Sequence, residues 1–427
     1  MAHLVFVEST RPGVRSLATA KRLGHHVTYV TSHQMDGLFK EEDKANLQSH
    51  ADSLLRVSNS HDPDLLTDVL MKHAAAQPID AVLSTLHQFV EPAAIAAQRL
   101  GVRGTSPEGI HNARDKARCR AILHNNGIPS VRYSMVRSAE EALEALQYVG
   151  YPAILKPTTG VGKVLTTIVH NASQVTEHFA NARHSYEGLR AGVKEEIALE
   201  FVLEEFAHGP LYSIEFGVSA HQERIPFAIL KRKVGKHNPV LELGSTVPSD
   251  LTDAQYDAVT DYCASIVKAL GLNLGMFHIE FIYTADGPRL VEVNPRIAGG
   301  AIPDLIQTAT GHDLFEFLIR IYNGERLAVG RLPCRGATSH TFIAALEDCV
   351  VRADLSSDWF APFKARIASG YADIVGGQAL RRMDGNYDLY GVVRVNARDY
   401  DCAVRETEQL RIEIEQQLGV KLVEVTV

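Results

Sequence analysis

The chain has 427 residues, 45% of them apolar and 22% charged, with a formal net charge of −8. Such a length exceeds one ordinary core and suits about three compact units, and the acidic balance argues against nucleic acid as the main partner. The five scattered cysteines (Cys119, Cys263, Cys334, Cys349, Cys402) form no CxxC pair, which argues against a zinc site or a disulfide framework.

The start, MAHLVFVEST, reads as a strand and not as a signal peptide. No apolar run reaches the roughly 18 residues of a membrane span. With reduced thiols, these features make a cytoplasmic protein without membrane contact the expectation. In chain order, residues 3–7 predict a strand, 12–23 a helix closed by Gly24, 26–30 a strand, 79–84 a strand and 91–100 a helix ending at Gly101. This alternation predicts a parallel, doubly wound, Rossmann-like α/β unit. The first strand is followed by VESTRPGVRS, with one glycine, so a dinucleotide fingerprint is absent. Helices are expected at 113–126 and 139–149. A strand at 152–156 runs into the loop 157–163, and 197–206 is a strand and its exit. Strands at 212–220 and 226–232 belong to an antiparallel sheet. Thr252 and Gln255 form the capping box of a helix ending at Leu270. Helices follow at 302–310 and 313–322, then short strands at 337–344 and 388–395 and a charged helix at 402–418. Trp359, Phe360 and Phe363 read as core.

Residues 275–300, GMFHIEFIYTADGPRLVEVNPRIAGG, carry the most information. Two alternating strands flank Ala285-Asp286-Gly287, which suits a three-residue hairpin loop with glycine last. That register pairs Thr284 with Pro288 and puts Glu280 opposite Glu292, with Asn294 one pleat further on the same face. Facing carboxylates repel, so a cation between them is expected. Two carboxylates and an amide are hard oxygen ligands that suit Mg²⁺ held together with phosphates. Arg296 then adds a positive charge able to clamp an anionic transition state. The competing reading is an ordinary hairpin with a solvated acidic face.

Other residues line up with this hairpin. Lys116 stands in NARDKARCRAIL, Lys156 ends YPAILKP, and Glu204-Glu205-Phe206-Ala207 closes the apolar strand of LEFVLEEFA. The order and spacing of these with Glu280, Glu292, Asn294 and Arg296 resemble the ATP-grasp ligases, over residues 5–322. The resemblance implies a multidomain α/β and α+β protein. An N-terminal Rossmann-like domain (1–112) precedes a two-lobed ATP-grasp core (113–328; lobes 113–202 and 203–328) and a small C-terminal α+β domain (329–427). It implies ATP and two Mg²⁺ ions as cofactors, with Mn²⁺ as an alternative metal.

By the same resemblance, Lys116 and Lys156 bind ATP phosphates. Gly160, Gly162 and Lys163 belong to a glycine-containing lid, and Glu204, Glu205, Phe206 and Ala207 to the adenine hinge. Glu280, Glu292 and Asn294 hold metal, and Lys156 and Arg296 act in catalysis. Three positions depart from the family pattern. Lys163 stands where serine is frequent and Leu165 where glycine is frequent, which implies an extra cation at the phosphates. Leu211 stands where an acid usually meets the ribose, with His208 as a substitute. The segment VLELGSTVPSDL resembles the part that faces substrate in amino-acid-joining members. Glu242 would there bind an α-ammonium, and Tyr212 and Glu215 would line the same pocket. Gly299 and Gly300 would give backbone access to a ligand carboxylate.

The activity implied is that of an L-amino-acid ligase. It joins a carboxylate to an amine through an acylphosphate and releases ADP and phosphate. Two alternatives stay open. One is a purine-pathway or carbamoyl-phosphate-type ligase with a phosphorylated substrate, served by Lys231, Arg232 and Lys233. The other is a non-catalytic nucleotide-binding module. Small-molecule substrates and a homodimer packed through the C-terminal region are the expected partners.

Overall fold

The computed structural model describes residues 1–9, 11–32, 47, 49–160, 162–189, 194, 197–328, 330–385 and 388–426. Its first sheet has four parallel strands in the spatial order Ser53–Arg56, His26–Thr31, His3–Val7, Ala81–Leu83. The strand His3–Val7 is apolar almost throughout because both of its faces are covered. Leu4 and Phe6 pack with Leu17 and Ala20 of the helix Arg11–Arg22, whereas Val5 and Val7 pack with Leu66, Leu70 and Ala93 of the helices Pro63–Ala76 and Val90–Leu100. The core around Leu4 and Phe6 also takes in Leu305, Ile306, Leu318 and Ile319 of the helices Ile302–Thr310 and Leu314–Tyr322. The N-terminal unit is thereby packed against the chain that carries Arg296.

A second sheet, antiparallel, has the order Tyr133–Val136, Phe201–Glu205, Ala153–Pro157, Thr167–Val169. The helices Ala139–Val149 and Ala172–Glu187 cover it through Leu146, Val149, Val175 and Ala182. The third sheet has eight strands: Gly287–Asn294, Gly275–Thr284, Leu211–Val218, Arg224–Val234, Glu242–Val247, Ala337–Ile343, Gly391–Ala397 and Ser369–Ala372. The C-terminal segment thus continues the sheet that begins with the acidic hairpin, through the pairing of Glu242–Val247 with Ala337–Ile343. It also has a core of its own, in which Trp359, Phe360 and Phe363 pack with Leu410, Ile414 and Leu418.

Several expectations are met. The helix Asp253–Leu270 starts from a capping box of Thr252 and Gln255, and the helices at 139–149 and 302–310 have the expected bounds. Others are corrected. The expected helix at 113–126 is two helices, Pro107–Arg114 and Lys116–Asn125. Asp115 between them is extended and caps the second one by accepting from Arg118 N–H. The strand Glu242–Val247 and the helices Pro63–Ala76 and Ala172–Glu187 were not foreseen.

The hairpin turn is tighter than the loop read from the sequence. Thr284 pairs with Gly287, which leaves a two-residue loop, and Phe281 pairs with Leu290. Glu280 still faces Glu292 because a bulge opposite the Glu280–Phe281 step absorbs one residue, Val291. The facing carboxylates expected from the sequence are therefore present, for a different reason.

Candidate active site

A cavity of about 520 Å³ opens between the second and third sheets. Its floor is the hairpin face bearing Glu280, Glu292 and Asn294. Lys116, Lys156, Lys163, Arg232 and Arg296 bring positive charge to it, and Gly160, Gly162, Gly299 and Gly300 form part of its rim.

Each cation arrives on a different element. Lys116 is the first residue of its helix, and its backbone N–H donates to the Thr158 carbonyl, which ties the helix to the loop after Lys156. Its Nζ lies 3.8 Å from Glu292. Lys156 stands near the end of the strand Ala153–Pro157, with Nζ 2.7 Å from Glu204 Oε2. Burial pushes the Lys156 ammonium down to about 8 against the pull of Glu204. Arg296 is half-buried, donates to its neighbour Ile297 O at 2.9 Å, and has its pKa lowered by desolvation. Alternation along Arg224–Val234 sends Arg232 into the cavity, where it pairs with Glu242 and lies 3.6 Å from Glu280. Lys231 instead pairs with Asp250 at 2.7 Å, and Lys233 is buried against Thr407 at 2.6 Å.

The carboxylates are held as anions. Burial raises the pKa of Glu292, but Lys163 leads a set of opposing contacts that bring it down to about 2. Glu280 is held well below the ordinary range by Lys163, His278 and Arg232 despite the same burial. Asn294 donates its amide N–H to Glu292 at 3.1 Å, leaving its carbonyl oxygen as a ligand atom. Among the described residues no group of three or more His, Cys, Asp or Glu side chains could hold a metal. Mg²⁺ seldom needs such a cage, because one or two carboxylates plus substrate phosphates usually hold it. Lys163 marks the fit. Its ammonium lies 3.3 Å from Glu280 and 3.0 Å from Glu242, a cation on an acid cluster.

The remaining candidates divide. Phe206 and Ala207 line the cavity beside Ile154, Leu211, Ile282 and Val291, a largely apolar slot. Gly209 belongs to the same wall; its φ is 154° and a Cβ there would meet Tyr283 O at 2.2 Å. Glu204 is not in the wall. Its carboxylate is buried between Arg120, at 2.9 Å, and Lys156. Glu205 faces outward to Arg132 at 3.0 Å, and His208 lines a neighbouring groove against Phe206. Tyr212 is buried and donates to Asp250 at 2.8 Å. Glu215 is fully buried behind the wall, neither solvent-facing nor lining the cavity. Its oxygens meet His278 Nδ1 at 2.5 Å and Ala298 N–H at 3.0 Å, so it braces the segment leading to Gly299 and Gly300. Glu242 does line the cavity, engaged by Arg232 and Lys163.

Three site residues, His278, His87 and Arg120, went unassigned in the sequence, and Arg232 was assigned only to the phosphorylated-substrate alternative. His278 sits between Glu215 and Glu280. Burial disfavours its charged form, yet the two carboxylates push its pKa up to about 9. Its position two residues before Glu280 on a strand was a usable signal. Arg232 was readable from alternation alone. His87, in the turn after Ala81–Leu83, brings the N-terminal unit into the cavity wall. Burial and the nearby Arg114 and Arg296 lower its pKa to about 3, and its Nδ1 has no hydrogen-bond partner among the described residues. Arg120 is the anchor behind the site. It bonds Glu204 and also the Leu290 and Val291 carbonyls, at 2.8 and 2.9 Å, where the hairpin bulges.

Two family models match this chain, an ATP-grasp domain over residues 149–304 and an ATP-grasp N-terminal domain over residues 17–103. This chain carries ATP-grasp domains. It is 28% identical over 355 residues to the uncharacterized protein y4rH of Sinorhizobium fredii, covering 80% of this chain and 68% of that one. It is 26% identical over 292 residues to the alanine–anticapsin ligase of Bacillus amyloliquefaciens, covering 64% of this chain and 60% of the ligase, less than two thirds of that relative's length. The fold of this chain matches that of an L-amino acid ligase from Bacillus licheniformis with a TM-score of 0.72, at 17% identity over 98% of both chains. No helix among the described residues is long and apolar enough to cross a membrane.

Proposed function

We propose that this chain is an ATP-dependent carboxylate–amine ligase of the L-amino-acid ligase kind, forming an amide or dipeptide with release of ADP and phosphate. The observation that carries this reading is the facing pair Glu280 and Glu292 on the floor of a cavity that also receives Lys116, Lys156 and Arg296. The resemblance to alanine–anticapsin ligase supports the substrate class.

Glu280, Glu292 and Asn294 would hold one or two Mg²⁺ ions, which neutralise phosphate charge when bound. Lys116 and Lys156 hold the phosphates in line, since phosphoryl transfer is mostly positioning and charge neutralisation. The apolar slot at Phe206, Ala207 and Leu211 takes the adenine and ribose, and Glu204 serves it indirectly by fixing Lys156. A substrate carboxylate attacks the γ-phosphate, and ADP leaves. The amine then adds to the acylphosphate carbonyl and phosphate departs. Arg296 faces the charge that builds up in both steps. Glu242 meets the substrate ammonium, and the backbone at Gly299 and Gly300 meets its carboxylate. The strands Ala337–Ile343, Gly391–Ala397 and Ser369–Ala372 extend the sheet, and the C-terminal region would supply the surface for a homodimer.

The phosphorylated-substrate alternative has little left to support it. Lys231 and Lys233 are turned away from the cavity, and Arg232 is committed to Glu242.

The nucleotide product tests the proposal. Incubation with ATP, Mg²⁺ and a matrix of amino acids and amines is expected to give ADP and phosphate. AMP and pyrophosphate as the sole products would overturn the mechanism.

A second expectation concerns pH. The Lys156 ammonium, with its pKa near 8, is the form that binds phosphate. In the free enzyme it is present below that value and is lost as pH rises through it. The kcat/KM for ATP should therefore fall on the alkaline side across about pH 6.5–9.5. Lys156→Arg, which keeps its charge throughout, should lose that limb even at a reduced absolute rate. An identical alkaline limb in the variant would assign it to another group.

A further inference from the structure

Glu280 and Glu242 are the carboxylates given above to the metal and to the substrate ammonium. One lysine reaches both. Lys163 Nζ lies 3.0 Å from Glu242 Oε1 and 3.3 Å from Glu280 Oε2. It comes from the turn 162–165, in which Lys163 and Leu165 both have positive φ, 63° and 56°. That region is unfavourable for side chains other than glycine. The turn is therefore held in a conformation its own residues disfavour, and the two ion pairs are contacts able to hold it there. A metal ion or a substrate ammonium cannot share these oxygens with the Lys163 ammonium without strong repulsion between like charges. Arg232, the other cation on Glu242 among the described residues, stands within a central strand of the third sheet and is not free to leave. Lys163 is different, because its flexible stem rises from a surface turn on the cavity rim.

We propose that Lys163 is a tethered counter-cation of the site. Without ligands it neutralises Glu242 and Glu280 and docks the 162–165 turn onto them. When metal and substrate ammonium arrive, it gives up those oxygens and turns to the nucleotide phosphates, the nearest anions then available. This rests on the roles assigned above to Glu242 and Glu280. Divalent metal alone then binds weakly, because it must displace Lys163 with nothing to receive the displaced charge. Metal and nucleotide strengthen each other's binding, since the phosphates provide that acceptor.

The test uses Mn²⁺ alone on the full chain without nucleotide, with free Mn²⁺ followed by its paramagnetic resonance signal. Lys163→Met keeps the length of the stem and removes the charge, and Lys163→Gln is a second uncharged variant. Both are expected to bind Mn²⁺ about tenfold or more tightly than wild type, while Lys163→Arg stays at the wild-type value. Uncharged variants that bind no tighter than wild type, or no measurable Mn²⁺ binding in any of the proteins, would overturn the proposal. Neither nucleotide nor turnover enters this measurement. Its failure leaves the ligase reading standing, and a failure to form ADP in the separate turnover assay leaves the Mn²⁺ result standing.

Discussion

Glu292→Gln is expected to give a folded protein that has lost ATP turnover by about 100-fold or more. The substitution removes one charge and almost no volume. Its amide oxygen can still accept from Asn294, now 3.1 Å from the carboxylate. Some stability should be lost as well, because the contacts with Lys163 and Lys116 that hold the Glu292 pKa down favour the anion and outweigh the repulsion from Glu280 across the hairpin. What disappears is one of the two anionic oxygen donors facing each other in the cavity. Because the Glu292 pKa is about 2, the wild-type group stays ionised throughout the working range, and no change of pH restores what the variant lacks. The check is phosphate release at saturating Mg²⁺, alongside a thermal melt. Turnover near that of wild type would remove Glu292 from the metal site.

Arg120→Ala is expected to cost about 3–5 kcal/mol of stability. The guanidinium is 1% exposed and makes four hydrogen bonds, two to Glu204 and two to the Leu290 and Val291 carbonyls. Truncation takes this donor from one buried and one part-buried carbonyl and leaves Lys156 as the one cation paired with Glu204 among the described residues. An unpaired buried charge costs more than the pair contributes. The same change should raise the KM for ATP, because Lys156 would then bear the whole attraction of Glu204. Arg120→Lys should recover little, since one ammonium cannot reproduce the forked contact. Urea unfolding measures the effect. A loss below about 1 kcal/mol would mean that water or a shifted side chain takes over these bonds.

Much of the site was legible from local pattern. Alternation within the strands put Glu280, Glu292 and Asn294 on one face, and the same rule would have placed Arg232 and His278 beside them. The capping box at Thr252 and the helices after Gly300 follow from short-range chemistry, which a window of a few residues contains. The turn of the hairpin was harder. A two-residue loop with a bulge and a three-residue loop without one both bring Glu280 opposite Glu292. They differ only in where the extra residue sits, and alternation does not distinguish them.

Glu204 illustrates the other kind of failure. It belongs to the segment read as the hinge and is buried behind the cavity wall in space. Its role depends on Arg120, 84 residues earlier, reaching the back of its strand.

By itself the sequence determined many of the strands and helices, the acidic pair and the positive charges that make ATP-grasp chemistry the expectation. Periodicity states which face a side chain occupies, and that was sufficient for residues on the floor of the cavity. It does not state what lies opposite that face. Only the tertiary structure brought His87 in from the N-terminal unit, turned Lys231 and Lys233 away, withdrew Glu215 behind the wall and put Lys163 on Glu242 and Glu280. The physical reason is that a buried charge is defined by its partners, and these partners are supplied by packing between segments far apart in the chain.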